Sequence, residues 1–228
     1  MIEFLFLDLD DTIFDFHKAE HIALGKTLRY FGLEPTEEVM ARYSVINRAH
    51  WERLERKELT REQVLVGRFA TLFAEYNIQT APVAVARKYE DFLSQGHYFL
   101  PGAEQALISL AKSYKLYLAS NGTAKVQAGR LASSGIGKYF AEIFVSQEIG
   151  ADKPDKTYFD RCAAKIPGYD PQKAMIVGDS LTSDIQGGIN AGMTTVWVNP
   201  NHRPHPTHIV PDYEIESLSQ LEELLHRI

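Results

Sequence analysis

The sequence predicts a doubly wound α/β protein, built on a parallel sheet and carrying a helical unit inserted after the first strand. Two observations lead there. Short apolar runs recur at residues 2–9, Leu116–Ser120, Met175–Gly178 and Thr194–Val198, with a weaker one at Glu142–Ser146, and helical patterns lie between them. Strands that alternate with helices imply a parallel sheet covered on both faces. The second observation is an interruption, because residues 17 to 95 contain no strand-like run.

Residues 2–9 are nearly all apolar and end in aspartates, which suits a strand buried on both faces. In the interruption, Val39, Tyr43, Ile46, His50 and Leu54 recur at helical spacing, as do Leu65, Phe69, Leu72, Phe73 and Tyr76. Thr60 and Gln63 have the spacing of a capping box, and Pro35-Thr36 and Ala81-Pro82 mark further helix boundaries. Four helices are expected, with the chain crossing into them near Ile13–Phe16 and returning near Gly96–Gly102. The predicted division is a core of residues 1–15 and 97–228 and a helical insertion of residues 16–96. Residues 199–211, rich in proline and histidine, read as a loop.

At 228 residues the chain has room for one α/β core and a smaller unit. No apolar run approaches the ~18 residues of a membrane span. The opening Met1-Ile-Glu-Phe-Leu-Phe-Leu-Asp lacks the basic start and small-residue cleavage site of a signal peptide, so a cytoplasmic location is expected. A single cysteine, Cys162, excludes an intrachain disulfide and a cysteine-based zinc site. The net charge of −6 offers no general attraction to a nucleic acid polymer. Oligomeric state is not legible in the sequence.

Four clusters could do chemistry: Asp8-Leu9-Asp10-Asp11-Thr12, Ser120-Asn121-Gly122, Lys153-Pro154, and Gly178-Asp179-Ser180 with Asp184. Singly, each has a plainer reading as a turn, a helix cap or a solvated surface. Together they follow predicted strands directly or by a short loop, and a parallel sheet gathers such positions at its carboxyl edge. The set matches the needs of phosphoryl transfer. A carboxylate such as Asp8 can attack phosphorus and split one hard step into two. Asp8 and Asp179 are hard oxygen ligands of the kind magnesium takes. Lys153 supplies positive charge, while Ser120 and the Asn121 amide supply hydrogen-bond donors. Asp10, two residues from Asp8, leaves the strand on the same side and can serve as acid and base.

These four clusters resemble the motifs of the haloacid dehalogenase superfamily of hydrolases: Asp8-Leu-Asp-Asp-Thr-Ile, Ser120-Asn-Gly, Lys153-Pro, and Gly178-Asp-Ser-Leu-Thr-Ser-Asp184. The resemblance covers essentially the whole chain. It implies a Rossmann-like core, a helical cap inserted after the first motif, and Mg2+ held by the Asp8 carboxylate, the Asp10 carbonyl and Asp179, with Asp184 in support. Phe14-Asp-Phe, Asn47-Arg-Ala-His-Trp51, Gly67-Arg-Phe, Gly187-Gly-Ile-Asn-Ala-Gly192 and Trp197-Val-Asn-Pro resemble segments of the bacterial YjjG-like group of pyrimidine 5′-nucleotidases. That implies a small phosphorylated substrate, a nucleoside monophosphate. A phosphomutase would use the same set, a 2-haloacid dehalogenase would not need Asp10 and the Asp179/Asp184 pair, and a non-catalytic binding protein would have no need of every carboxylate.

Asn47 and Trp51 lie one turn apart on a predicted helix and share a face. Trp51 could stack on a base with Asn47 reading its edge, or pack in the bundle, which is the commoner fate of an aromatic stripe. Phe14 and Phe16, at the crossing, could close over substrate or simply pack. His202, His205 and His208 fit a solvated loop better than a metal site, and Cys162 a buried inert thiol.

Overall fold

The computed structural model describes residues 2–206 and 208–228; Met1 and Thr207, at the start of the predicted core and inside the proline- and histidine-rich loop, lie outside it. The first apolar run forms β1 (Phe4–Leu7), and its side chains divide by parity. Leu5 and Leu7 enter one hydrophobic core, Phe4 and Phe6 the other, as a side-chain period of two requires. With both faces buried, the strand keeps no polar face, hence the unbroken apolar run.

The chain continues through α1 (Phe16–Tyr30), α2 (Glu37–Glu55), α3 (Arg61–Glu75) and α4 (Pro82–Leu93) before returning to α5 (Ala103–Leu110), β2 (Lys115–Ser120), α6 (Ala124–Ser134) and β3 (Phe140–Val145). It ends with α7 (Ser146–Ile149), α8 (Lys156–Ala163), β4 (Ala174–Gly178), α9 (Gln186–Ala191), β5 (Thr194–Val198), β6 (Tyr213–Ile215) and α10 (Leu221–Arg227). The six strands are parallel and ordered β3-β2-β1-β4-β5-β6. The weak run expected at Glu142–Ser146 is β3, shifted toward the N-terminus. β6 was not anticipated, because three residues, Tyr-Glu-Ile, show no periodicity. Among the described residues, 199–212 hold no helix or strand and no helix is long and apolar enough to cross a membrane.

The four inserted helices form a core of their own, in which α1 packs on α4 and α2 on α3. Val39, Tyr43, Ile46, His50 and Leu54 are all buried. Thr36 caps α2, Thr60 and Gln63 make the capping box of α3, and Pro82 opens α4 behind Ala81. The two crossings are tied to one another: Asp15 N donates to Tyr98 O at 2.7 Å and Leu100 N to Ile13 O at 3.0 Å. Phe14 belongs to this ribbon. It is fully buried, with its ring edge-on to Phe99 at 5.1 Å, and it does not border the cleft, so it packs at the crossing and does not face substrate as expected.

Candidate active site

β1 lies between β2 and β4, and the chain winds away from it in opposite directions. A crevice opens at the carboxyl ends at such a switch point. Asp8 follows β1, Ser120 ends β2, and Asp179 follows β4. Lys153, from the loop after α7, is 1% exposed, so it is no surface lysine. Its Nζ donates to Asp8 Oδ1 at 2.7 Å, Asp184 Oδ1 at 2.6 Å and Ala119 O at 2.6 Å, using all three ammonium hydrogens.

Asn121 fastens that lysine in place. Its Oδ1 accepts from Lys153 N at 2.9 Å and its Nδ2 donates to Lys153 O at 2.9 Å and Ser183 Oγ at 3.2 Å. The Asn121 side-chain amide is therefore committed to the protein, and a donor to substrate from this residue would be its backbone N–H. Ser120 Oγ accepts from Gln127 Nε2 at 2.8 Å and Gly122 N at 3.1 Å, which leaves its hydroxyl hydrogen to donate. Two glycines of the motifs have steric causes. A Cβ on Gly122 would meet Gln127 Nε2 at 2.3 Å, and one on Gly178 would meet Asp184 Oδ2 at 2.2 Å.

Asp8, Asp179 and Asp184 each present a carboxylate oxygen within 4.8 Å of the others. Lys153 faces Asp8 and Asp184, while the Asp179 carboxylate accepts no hydrogen bond among the described residues. Three carboxylates against one ammonium leave two negative charges unmatched. Burial raises the Asp179 carboxyl well above the usual carboxylate range, and Asp184, Asp8 and Asp11 add to the rise; Arg203 opposes it. Burial likewise raises Asp8, against the pull of Lys153. Burial alone would lower Lys153, and the Asp184 and Asp8 carboxylates reverse that and hold it charged. An all-oxygen donor set with two surplus negative charges fits a hard divalent cation such as Mg2+.

Asp10 is held by two residues that the motifs did not point to. Arg130 Nη1 pairs with Asp10 Oδ1, and Gln127 Nε2 donates to Asp10 Oδ2 at 2.9 Å. Arg130, fully buried, also donates to Gly96 O at 2.8 Å and lies over the Phe14 ring at 5.1 Å, so it links Asp10 to both crossings. The only sequence signal was two polar residues three apart on the inner face of α6.

The helices form the other wall of the cleft, which encloses about 230 Å3. Phe16 and Trp51 border it, and Trp51 is half-buried instead of packed in the bundle. Asn47 is not available to read a base: it is 3% exposed and its amide bridges Glu20 Oε1 at 2.6 Å and Arg68 Nη1 at 2.8 Å. Glu55, one turn after Trp51, reaches across to accept from Thr182 Oγ1 at 2.8 Å, and burial pushes its carboxyl up to about 7. Arg61, first in α3, donates to Asn121 O at 2.8 Å, Gly122 O at 3.1 Å and Ser146 Oγ at 2.5 Å, and pairs with Asp152. His202 and His205 are exposed, and Cys162 is buried.

The family model for haloacid dehalogenase-like hydrolases matches residues 2–192. The chain is 37% identical to YfnB of Bacillus subtilis, named as a HAD-hydrolase, over 97% of this chain and 94% of that one. It is 37% identical to the pyrimidine 5′-nucleotidase PynA of Streptococcus pneumoniae, covering 99% and 95%, and 30% identical to the pyrimidine 5′-nucleotidase YjjG of Escherichia coli, covering 98% and 97%. The crystal structure of magnesium-bound YfnB superposes with a TM-score of 0.94 over 98% of each chain.

Proposed function

Because the chain belongs to the haloacid dehalogenase-like hydrolases, we propose that it is a Mg2+-dependent phosphomonoesterase acting through an aspartyl phosphate on Asp8, with pyrimidine nucleoside 5′-monophosphates as substrates. The observation that carries this reading is the buried Asp8–Lys153–Asp184 set beside the unmatched Asp179 carboxylate. Attack on carbon in a haloalkanoate would put no phosphoryl charge into the site and would leave that surplus without a use.

In this reading an Asp8 carboxylate oxygen attacks phosphorus in line, and the bond from phosphorus to the ester oxygen breaks. Asp10 gives its proton to the departing alcohol oxygen. Asp10, now ionised, takes a proton from water as that water attacks the same phosphorus; the bond to Asp8 breaks and inorganic phosphate leaves. Lys153 holds the nucleophile and sets a positive charge beside the incoming phosphoryl group, and the Ser120 hydroxyl donates to a phosphoryl oxygen. The Arg130 and Gln127 contacts fix the position of the Asp10 carboxylate beside Asp8. Asp8, Asp179, Asp184 and the Asp10 carbonyl would hold Mg2+, which offsets the repulsion between nucleophile and phosphate when bound. The names of PynA and YjjG support a pyrimidine nucleotide, and the reported interdomain movement of magnesium-bound YfnB supports a helical insertion that closes as a cap over substrate. A cleft walled by the helices on one side and the sheet edge on the other suits a small phosphate ester.

The test is phosphate release from UMP with Mg2+. Asp8→Asn keeps the shape and removes the nucleophile, so a folded variant should lose at least about a thousandfold in rate, on the scale of nucleophile removal elsewhere. Near-wild-type release by that variant would sink the covalent mechanism, and no release by the wild type would sink the nucleotidase reading.

A further inference from the structure

Arg68, on α3, is 2% exposed, and the chemistry proposed above makes no use of it. Its Nε donates to Leu65 O at 3.3 Å and its Nη1 to Asn47 Oδ1 at 2.8 Å. Asn47 passes the link to Glu20, which is 3% exposed and also takes the Ser44 hydroxyl. The guanidinium is braced by the rings of Tyr89, Phe69 and Tyr43, at 4.9, 5.5 and 6.0 Å. A guanidinium carries five N–H donors in a rigid fork. Nη2 has no acceptor among the described residues, and Arg68 borders the cleft together with Leu65, three positions earlier on the same face. Burying a cation this deeply is costly without a partner. The Glu20–Asn47 relay offsets its charge and leaves one edge of the fork for something in the cleft.

On α4, Glu90 and Leu93 border the same cleft, again three positions apart. The Glu90 carboxylate meets no donor or cation within bonding distance among the described residues. The helical wall therefore offers a fixed donor and a free acceptor, with Trp51, Leu65 and Leu93 as the apolar surfaces around them.

We infer that Arg68 and Glu90 are the specificity-determining pair: Arg68 donates to an acceptor on the leaving group and Glu90 accepts from an adjoining N–H. The matching ligand is a flat heterocycle with an acceptor beside an N–H donor, the amide-type edge of a pyrimidine base. A sugar phosphate without a base leaves both side chains unanswered. This rests on the nucleotidase reading. It also replaces Asn47, which positions Arg68 instead of touching substrate. A site built to hydrogen-bond a substrate rejects analogues that lack the groups far better than an apolar pocket does.

The test compares UMP, N3-methyl-UMP and ribose 5-phosphate with the wild type, Arg68→Lys and Glu90→Met. Arg68→Lys keeps the charge and loses the fork. Glu90 has no protein partner, so Glu90→Met unpairs nothing, and thermal melts check both folds. Each variant should lower the ratio of kcat/KM for UMP over that for ribose 5-phosphate by about 10- to 150-fold, the range for a hydrogen bond to a charged group. In the wild type N3-methylation should cost a similar factor, and in Glu90→Met that penalty should vanish, since the two changes remove one contact. A penalty that persists in full in Glu90→Met, or an unchanged ratio in both variants, overturns the assignment while leaving the nucleotidase reading intact. A wild type that does not prefer UMP to ribose 5-phosphate overturns both, and needs no variant to show it.

Discussion

At the scale of single residues, Asp179 marks what the protein leaves to an ion. Its backbone is pinned from behind, since the carbonyl accepts from Trp197 Nε1 at 2.9 Å and Arg203 Nη2 at 3.2 Å, yet its carboxylate faces other carboxylates. A carboxyl raised in the folded state contributes stability below the ordinary carboxylate range and loses it as pH rises through the folded value. Metal-free protein therefore loses stability as pH rises out of the ordinary carboxylate range, because Asp179 resists ionising beside Asp184 and Asp8. Asp179→Asn keeps the shape and removes that charge. In chelator at neutral pH it should raise Tm above the wild type, and it should abolish most of the rise in Tm that added Mg2+ gives the wild type. An unchanged Mg2+-dependent rise in the variant would remove Asp179 from the ligand set.

At the scale of elements, α2 shows what periodicity can and cannot report. The stripe Val39, Tyr43, Ile46, His50 and Leu54 was legible because burial against α3 leaves a helical period. Asn47 and Trp51 lie on the flank of that stripe, where period alone cannot separate the bundle from the cleft, and the two part company: Asn47 is buried under Arg68 and Trp51 turns to the cleft. Glu55 was invisible, as one more acidic residue near a helix end. Burial pushes its carboxyl from 4.5 up to about 7, and the Thr182 hydrogen bond and Lys153 only partly offset this. The sign is that of a raised carboxyl: its stabilising share is complete below about pH 4.5 and is lost as pH climbs through about 7. Glu55→Gln, which cannot ionise, should flatten the fall in Tm of metal-free protein across that window. An identical pH profile in the variant would show that Glu55 meets more water than its place against Thr182 implies.

At the scale of the whole molecule, the sheet and the four motif loops were legible because two-faced burial writes unbroken apolar runs, and because chemistry concentrates at their carboxyl ends. The links between the helical insertion and the core were not, since they join residues far apart in sequence through single long side chains. Arg61 is the strongest of these, with three neutral acceptors and one ion pair in the core, and its guanidinium also sits 5.6 Å from the Trp51 ring. It grips the carbonyls of Asn121 and Gly122, and the Asn121 side chain in turn holds Lys153, so the grip on the helices ends at the lysine beside Asp8. Arg61→Ala should weaken the attachment of the helices to the core by at least the ~1.5–3 kcal/mol of one hydrogen bond to a charged group. The chain carries its own reporter of that change. Trp197 is fully buried in the core and Trp51 half-buried at the cleft, so quenching of tryptophan fluorescence by acrylamide reads chiefly Trp51. Quenching should rise in Arg61→Ala and fall back with Trp51→Phe in the same background, while Tm changes little. Quenching that stays at the wild-type level would mean that Lys57–Asp155, Lys125–Asp91 and Glu55–Thr182 hold the helices to the core without Arg61.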